Sequence, residues 1–232
     1  MHTTLLKTII AGNALLLLTS ATALAQVNTD SAWGKARVNV EERQEARATA
    51  IADKKAEIKT TIETKKDDFR ARVDAKKAEV KNKVEDKKTA LKAKIASFKD
   101  EKKKEIALRV NDRLQELNVK YVDMLTAAVA KQEEVLAKLK TETATKASAG
   151  KDISSVNAQI ATIEGKITEA KGLIATQSAK VYSVEATTEP ALRGDVEKAR
   201  DLLKKDLVAV HASVRNVTEL IAAATRTLVS IK

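Results

Sequence analysis

The stretch DAKKAEVKNKV, residues 74–84, runs directly into EDKKTALKAKI, residues 85–95. Each position has a close counterpart eleven residues later, and each block carries only two large apolar side chains. Eleven residues over three turns is about 3.67 per turn, so a stripe of that period stays on one side of an α-helix. On either side of these blocks the repeat extends from about residue 41 to about residue 106. Its apolar positions are Ile51, Ile58, Ile62, Phe69, Val73, Val80, Val84, Leu91, Ile95 and Ile106. From Ile58 to Ile95 their spacings alternate four and seven, which predicts a nearly straight or slightly right-handed association rather than a heptad supercoil.

The polar residues keep the same period. Lys59, Arg70 and Lys81 each stand four before an acid, Glu63, Asp74 and Glu85, and those acids stand three before Lys66, Lys77 and Lys88. Both spacings put partners on one helix face, worth a few tenths of a kcal/mol each. Lysine doublets recur at Lys54–Lys55, Lys65–Lys66, Lys76–Lys77 and Lys87–Lys88. Their stems can cover the flanks of a thin apolar seam. The expectation for 41–105 is a long, solvated basic helix, a stalk. Its seam is also a candidate surface for self-association.

Beyond Ile106 the apolar residues come closer together, at Val110, Leu114, Leu117, Tyr121, Leu125, Ala128, Val135 and Leu139, with Gln132 in one slot. TETATKASAGK, 141–151, reads as a linker, and Asp152 or Ser154 can cap the next helix. Heptad phase resumes from Ile153 through Ile160, Ile163, Ile167 and Ile174 to Val184, with Gln177 in one slot. ATTEP, 186–190, breaks it, and Pro190 suits a first helical turn. A last run carries Val196 to Ile231, with a stutter at Ala199, Leu203 and Leu207. The fold expected is all-α. The extended basic helix continues into a C-terminal antiparallel three-helix bundle or coiled coil, 106–232, with helices at about 106–143, 153–186 and 191–231; short connections make neighbours antiparallel. The rival is a long two-helix hairpin folding back on the stalk, and the similar helix lengths favour the bundle.

Composition agrees. One proline, six glycines and 2% aromatic residues leave few turn signals among Ala, Lys, Glu and aliphatic residues. The formal net charge is +11, and residues 35–105 hold 23 Lys and Arg against 15 Asp and Glu. The surplus on the stalk permits a polyanion partner.

The N-terminus sets the expected compartment. Lys7 precedes the uncharged run IIAGNALLLLTSATALA, ending in Ala23-Leu24-Ala25 before Gln26. That is the order of a secretory signal cleaved near Ala25–Gln26, followed by a flexible leader, 26–40, bearing Trp33. An uncleaved N-terminal anchor helix is the alternative. The chain has no cysteine, so it has no thiol chemistry and no lipoprotein anchor.

Catalytic signatures are missing. The two histidines, His2 and His211, make no cluster for zinc. The acids follow salt-bridge spacing, and there is no glycine-rich phosphate loop or nucleophile elbow. The sequence therefore points to a non-enzymatic protein with no cofactor and no small-molecule substrate, secreted, periplasmic or at the cell surface. It reads as a coiled-coil scaffold or spacer of the cell envelope. Lys54, Lys55, Lys65, Lys66, Lys76, Lys77, Lys87 and Lys88 are its candidate contacts to an anionic cell-wall polymer or anionic membrane surface. Nucleic acid is disfavoured, because stacking aromatics are scarce and a signal is present. The basic, signal-bearing helical build is broadly similar to that of the periplasmic chaperone Skp, without a counterpart to its strand-built oligomer base. That similarity implies a holdase as a further alternative.

Overall fold

The computed structural model describes residues 32–231, with side chains from Asn39 onward. The expected signal and the first residues of the leader lie outside the described residues. Among the described residues there are four helices and no strands: α1 Ala32–Ile95, α2 Glu101–Ser148, α3 Ser154–Ser178 and α4 Leu192–Ser230. The chain divides into two units at Ala46 and Arg47. The first is helical from Ala32, inside the expected leader, since KARVNVEERQEA offers good helix formers and no break. Its described side chains are all exposed.

The second unit is an up-down-up-down arrangement of four helices. Side-chain pairs fix the directions. Lys66, Lys77 and Lys88 of α1 meet Glu134, Asp123 and Asp112 of α2, so the two run antiparallel. α3 returns along α2 through Lys140–Glu164 and Glu133–Lys171. α4 runs back along α3, with Gln159 bonded to Thr227.

The all-α bundle stands as expected, but the stalk does not continue into it. α1 ends at Ile95, and a five-residue turn folds it back. Phe98 is buried there, and Asp100 caps α2 by accepting from Lys103 N at 3.2 Å. The seam of α1 is therefore core. Phe69, Val73, Val80, Leu91 and Ile95 are all at most 6% exposed. Phe69 and Val73 join a cluster with Val122, Leu125, Ile163 and Val217; Leu91, Ile95 and Phe98 join a second with Leu114, Tyr182 and Leu203. From Phe69 to Ile95 the seam is thus packed on its own chain, whereas Ile51, Ile58 and Ile62 are only partly buried.

Two further boundaries differ. α2 runs on to Ser148 through the expected linker, and the hydroxyls of Thr141, Thr143 and Thr145 there donate to carbonyls four residues back. It stops at Gly150, whose φ of +77° is left-handed. α3 stops at Ser178 rather than 186. The segment after it is non-helical and buries Tyr182, Val184 and Ala186 in alternation, the period of an extended chain. Buried polar groups anchor that segment. Asn111 Oδ1 accepts from Val184 N at 3.3 Å, and Gln115 donates to the Tyr182 carbonyl.

α4 is long and apolar enough to cross a membrane by length and composition. Its apolar stripe, Leu203, Leu207, Val210, Val214 and Val217, lies in the core.

Candidate functional site

The basic face of α1 begins from the eleven-residue repeat. The seam has three positions per repeat, and the third is lysine. Phe69 and Val73 follow Lys66; Val80 and Val84 follow Lys77; Leu91 and Ile95 follow Lys88. These three lysines are partly buried, whereas Lys54, Lys55, Lys65, Lys76 and Lys87 are exposed. The last three doublets are thus split in placement. The second lysine of each of the last three turns inward, lays its stem on the seam and pairs with α2.

The inward set meets acids spaced eleven apart. Lys66 Nζ lies 2.8 Å from Glu134 Oε1, Lys77 bonds Asp123, and Lys88 Nζ lies 2.9 Å from Asp112 Oδ2. The hydrogen bond to Asp112 raises the Lys88 pKa, and the hydrogen bond from Lys66 lowers that of Glu134. Of the outward set, Lys76 pairs within α1 to Glu79 and Lys87 sits 3.9 Å from Glu185. Both pairs are well exposed, where such contacts are weak. Lys54, Lys55 and Lys65 have no ion pair among the described residues.

Two grooves flank Ile58 and Ile62 of α1. One, of about 650 Å³, lies between α1, α2 and α3 and takes in Lys54, Lys65 and Arg72. The other, of about 410 Å³, lies between α1 and α2 and takes in Lys55, Lys59 and Lys66. The first has a charged inner wall. Lys171 Nζ donates to Glu133 Oε1 at 2.7 Å and stands 5.0 Å above the Phe69 ring. Both side chains are about nine-tenths buried, and Glu133 Oε2 accepts no hydrogen bond.

No group of acids and histidines that could hold a metal ion occurs among the described residues. His211 is exposed on α4.

Comparison with family models, with curated proteins and with solved structures finds no match.

Sequence alone puts all eight lysines in one class and misses their partners. The signal is nonetheless present: Asp112, Asp123 and Glu134 keep the same eleven-residue step as the lysines they meet. Glu133 and Lys171 give no periodic signal, since neither recurs.

Proposed function

We propose that this chain is an exported, non-enzymatic helical scaffold or spacer of the cell envelope, and that the outer face of α1 contacts an anionic polymer or anionic membrane surface. The observation that supports the contact is the outward lysine row. Lys54, Lys65, Lys76 and Lys87 are exposed and recur every eleven residues, about 16 Å apart along one side of the helix. A linear polyanion laid along α1 would meet them in turn and release counterions. Export is supported by the basic start, apolar run and Ala-x-Ala ending of the N-terminal sequence.

The split between inward and outward lysines makes the reading testable. Co-sedimentation with polyglutamate beads and with phosphatidylglycerol vesicles across a salt series should show binding that falls steeply as salt rises. A variant with Lys54, Lys65, Lys76 and Lys87 all changed to Gln should lose that binding with its melting temperature unchanged. The matching variant at Lys66, Lys77 and Lys88 should melt earlier and still bind. Equal binding by the first variant and the parent would leave α1 as a spacer alone.

A further inference from the structure

Four of the large apolar side chains left in solvent lie along one face. Tyr121, Met124 and Val135 of α2 are 40%, 49% and 44% exposed, and Val208 of α4 is 59% exposed. All four lie in or beside the seams expected from sequence, yet they face away from the core. They line a channel between α2 and α4, which run parallel to each other. One stretch of it, about 950 Å³, runs from Met124 and Val135 to Val214 and Ala222; the other, about 770 Å³, runs from Leu117 and Tyr121 to Lys204 and Val208. His211 belongs to both stretches and marks the middle.

We propose that this face docks a second copy of the chain, with α4 antiparallel to α4 of the second copy about a two-fold axis beside His211. Two-fold contacts must be self-complementary, and the charges on this face of α4 are. An axis between His211 and Ala212 places Glu219 opposite Lys204 of the second copy and Arg226 opposite Glu197. Val208 then meets the stem of Arg215, and Arg200 and Asp201 meet Ala223 and Ala222. No like charges face each other along the row. Both acids already hold an arginine on α4, through Arg215–Glu219 and Arg193–Glu197, but those pairs are exposed and weak.

α2 fits the same axis. Gln132 bonds to Val214 O and Thr218 Oγ1, which sets Ala128 level with His211. A small residue at the axis allows close approach, and Tyr121 of each copy comes opposite Val135 of the other. The row from Glu197 to Arg226 is about 45 Å long, and two helices side by side are about 20 Å wide. That is roughly 900 Å² per copy, the size of a stable specific interface.

Sedimentation equilibrium of the purified protein at micromolar concentration tests this. The expected result is a dimer whose dissociation constant rises about tenfold or more in Lys204→Glu and in Glu219→Lys. The double variant should return to within about threefold of the parent. Both positions are exposed, so far-UV circular dichroism should show the same helicity and cooperative melting throughout. Val208→Glu should give a monomer. A parent that is monomeric or a higher oligomer overturns the proposal. So does a dimer indifferent to both charge reversals, and so does a double variant as weak as the singles. A monomer that binds an apolar dye at this face would assign the face to a foreign amphipathic partner instead.

Discussion

Lys88 Nζ donates to Asp112 Oδ2 at 2.9 Å, and an eleven-residue step back along α1 is matched by an eleven-residue step forward along α2 at Lys77–Asp123 and again at Lys66–Glu134. An apolar seam of evenly spaced aliphatic residues could slip by one repeat and still bury its side chains. A lysine in every third seam position shares that period, and Lys55 and Lys99 continue the series at either end, so the ladder alone does not choose between registers one repeat apart. The buried Phe98 and the Asp100 cap, which fix where α1 turns back, decide that Lys88 meets Asp112. Each pair is partly exposed and worth little alone.

Charge reversal checks the ladder. Lys77→Glu should destabilise the protein by about 1 kcal/mol, because it faces Asp123 and lies near Asp74. Asp123→Lys in the same chain should recover most of that loss. A double-mutant cycle in urea would measure the coupling; strictly additive losses would mean that Lys77 and Asp123 do not meet.

The fold-back of α1 makes a larger prediction. Phe69 is 2% exposed and packs with Val73, Leu125 and Ile163. Phe69→Ala should cost about 3–4 kcal/mol of unfolding free energy through lost burial and the cavity left behind. A helix standing free in solvent would show almost no change. Ile51→Ala, at a partly buried position of the same repeat, should cost under about 1 kcal/mol.

These contrasts show where the sequence was legible. Helical class and the seam of α1 followed from period alone, since Phe69, Val73, Val80, Leu91 and Ile95 all fall on it. The seam's partner did not, because the turn at Ala96–Asp100 contains neither glycine nor proline. Only Ser97 and Asp100, as polar capping types, marked it. The end of α3 was missed for a related reason. Val181 and Val184 keep helical spacing, but Tyr182 and Ala186 follow an alternating period, and alternation is what the chain adopts. On α2, Tyr121 and Val135 fitted a three-and-four pattern that does not say which neighbour a face meets. The division of the lysines needed knowledge of α2 as well as α1.

The buried pair Glu133–Lys171 should behave asymmetrically. Lys171→Met leaves a carboxylate about nine-tenths buried without its cation, and should cost about 3 kcal/mol or more. It also removes the ammonium above Phe69. Glu133→Leu combined with Lys171→Met should be close to the parent, since Glu133 Oε2 is already without a hydrogen bond and an apolar pair leaves no charge to solvate. Guanidinium titrations of the two variants would settle the order. If the double variant is as unstable as the single, Glu133 contributes by packing alone.

The connection between α3 and α4 should set the pH range of the fold. Hydrogen bonds from Lys99 N to Glu189 and from Thr187 N to Asp195 hold both carboxyls below their ordinary values. Burial alone would raise Asp206, but bonds from Lys180 and Tyr182 outweigh it and its pKa also falls. A carboxyl lowered by folding stabilises the protein fully above its unfolded value and loses that contribution as pH falls through the folded one. The unfolded values are 4.5 for Glu189 and 3.8 for Asp195 and Asp206. The melting temperature should therefore be flat from neutral pH to about 5 and drop below about 4. Tyr182 works on the other side. Burial first, then its bond to Asp206, raises its phenol above the ordinary 10.0. That contribution is complete below about pH 10 and is lost as pH rises beyond it. Asp195→Asn should lower the neutral melting temperature and flatten the acid limb; Tyr182→Phe should flatten the alkaline limb and leave an acid limb. A melting curve whose acid limb is unchanged in Asp195→Asn would show that the Thr187–Asp195 contact does not hold this segment.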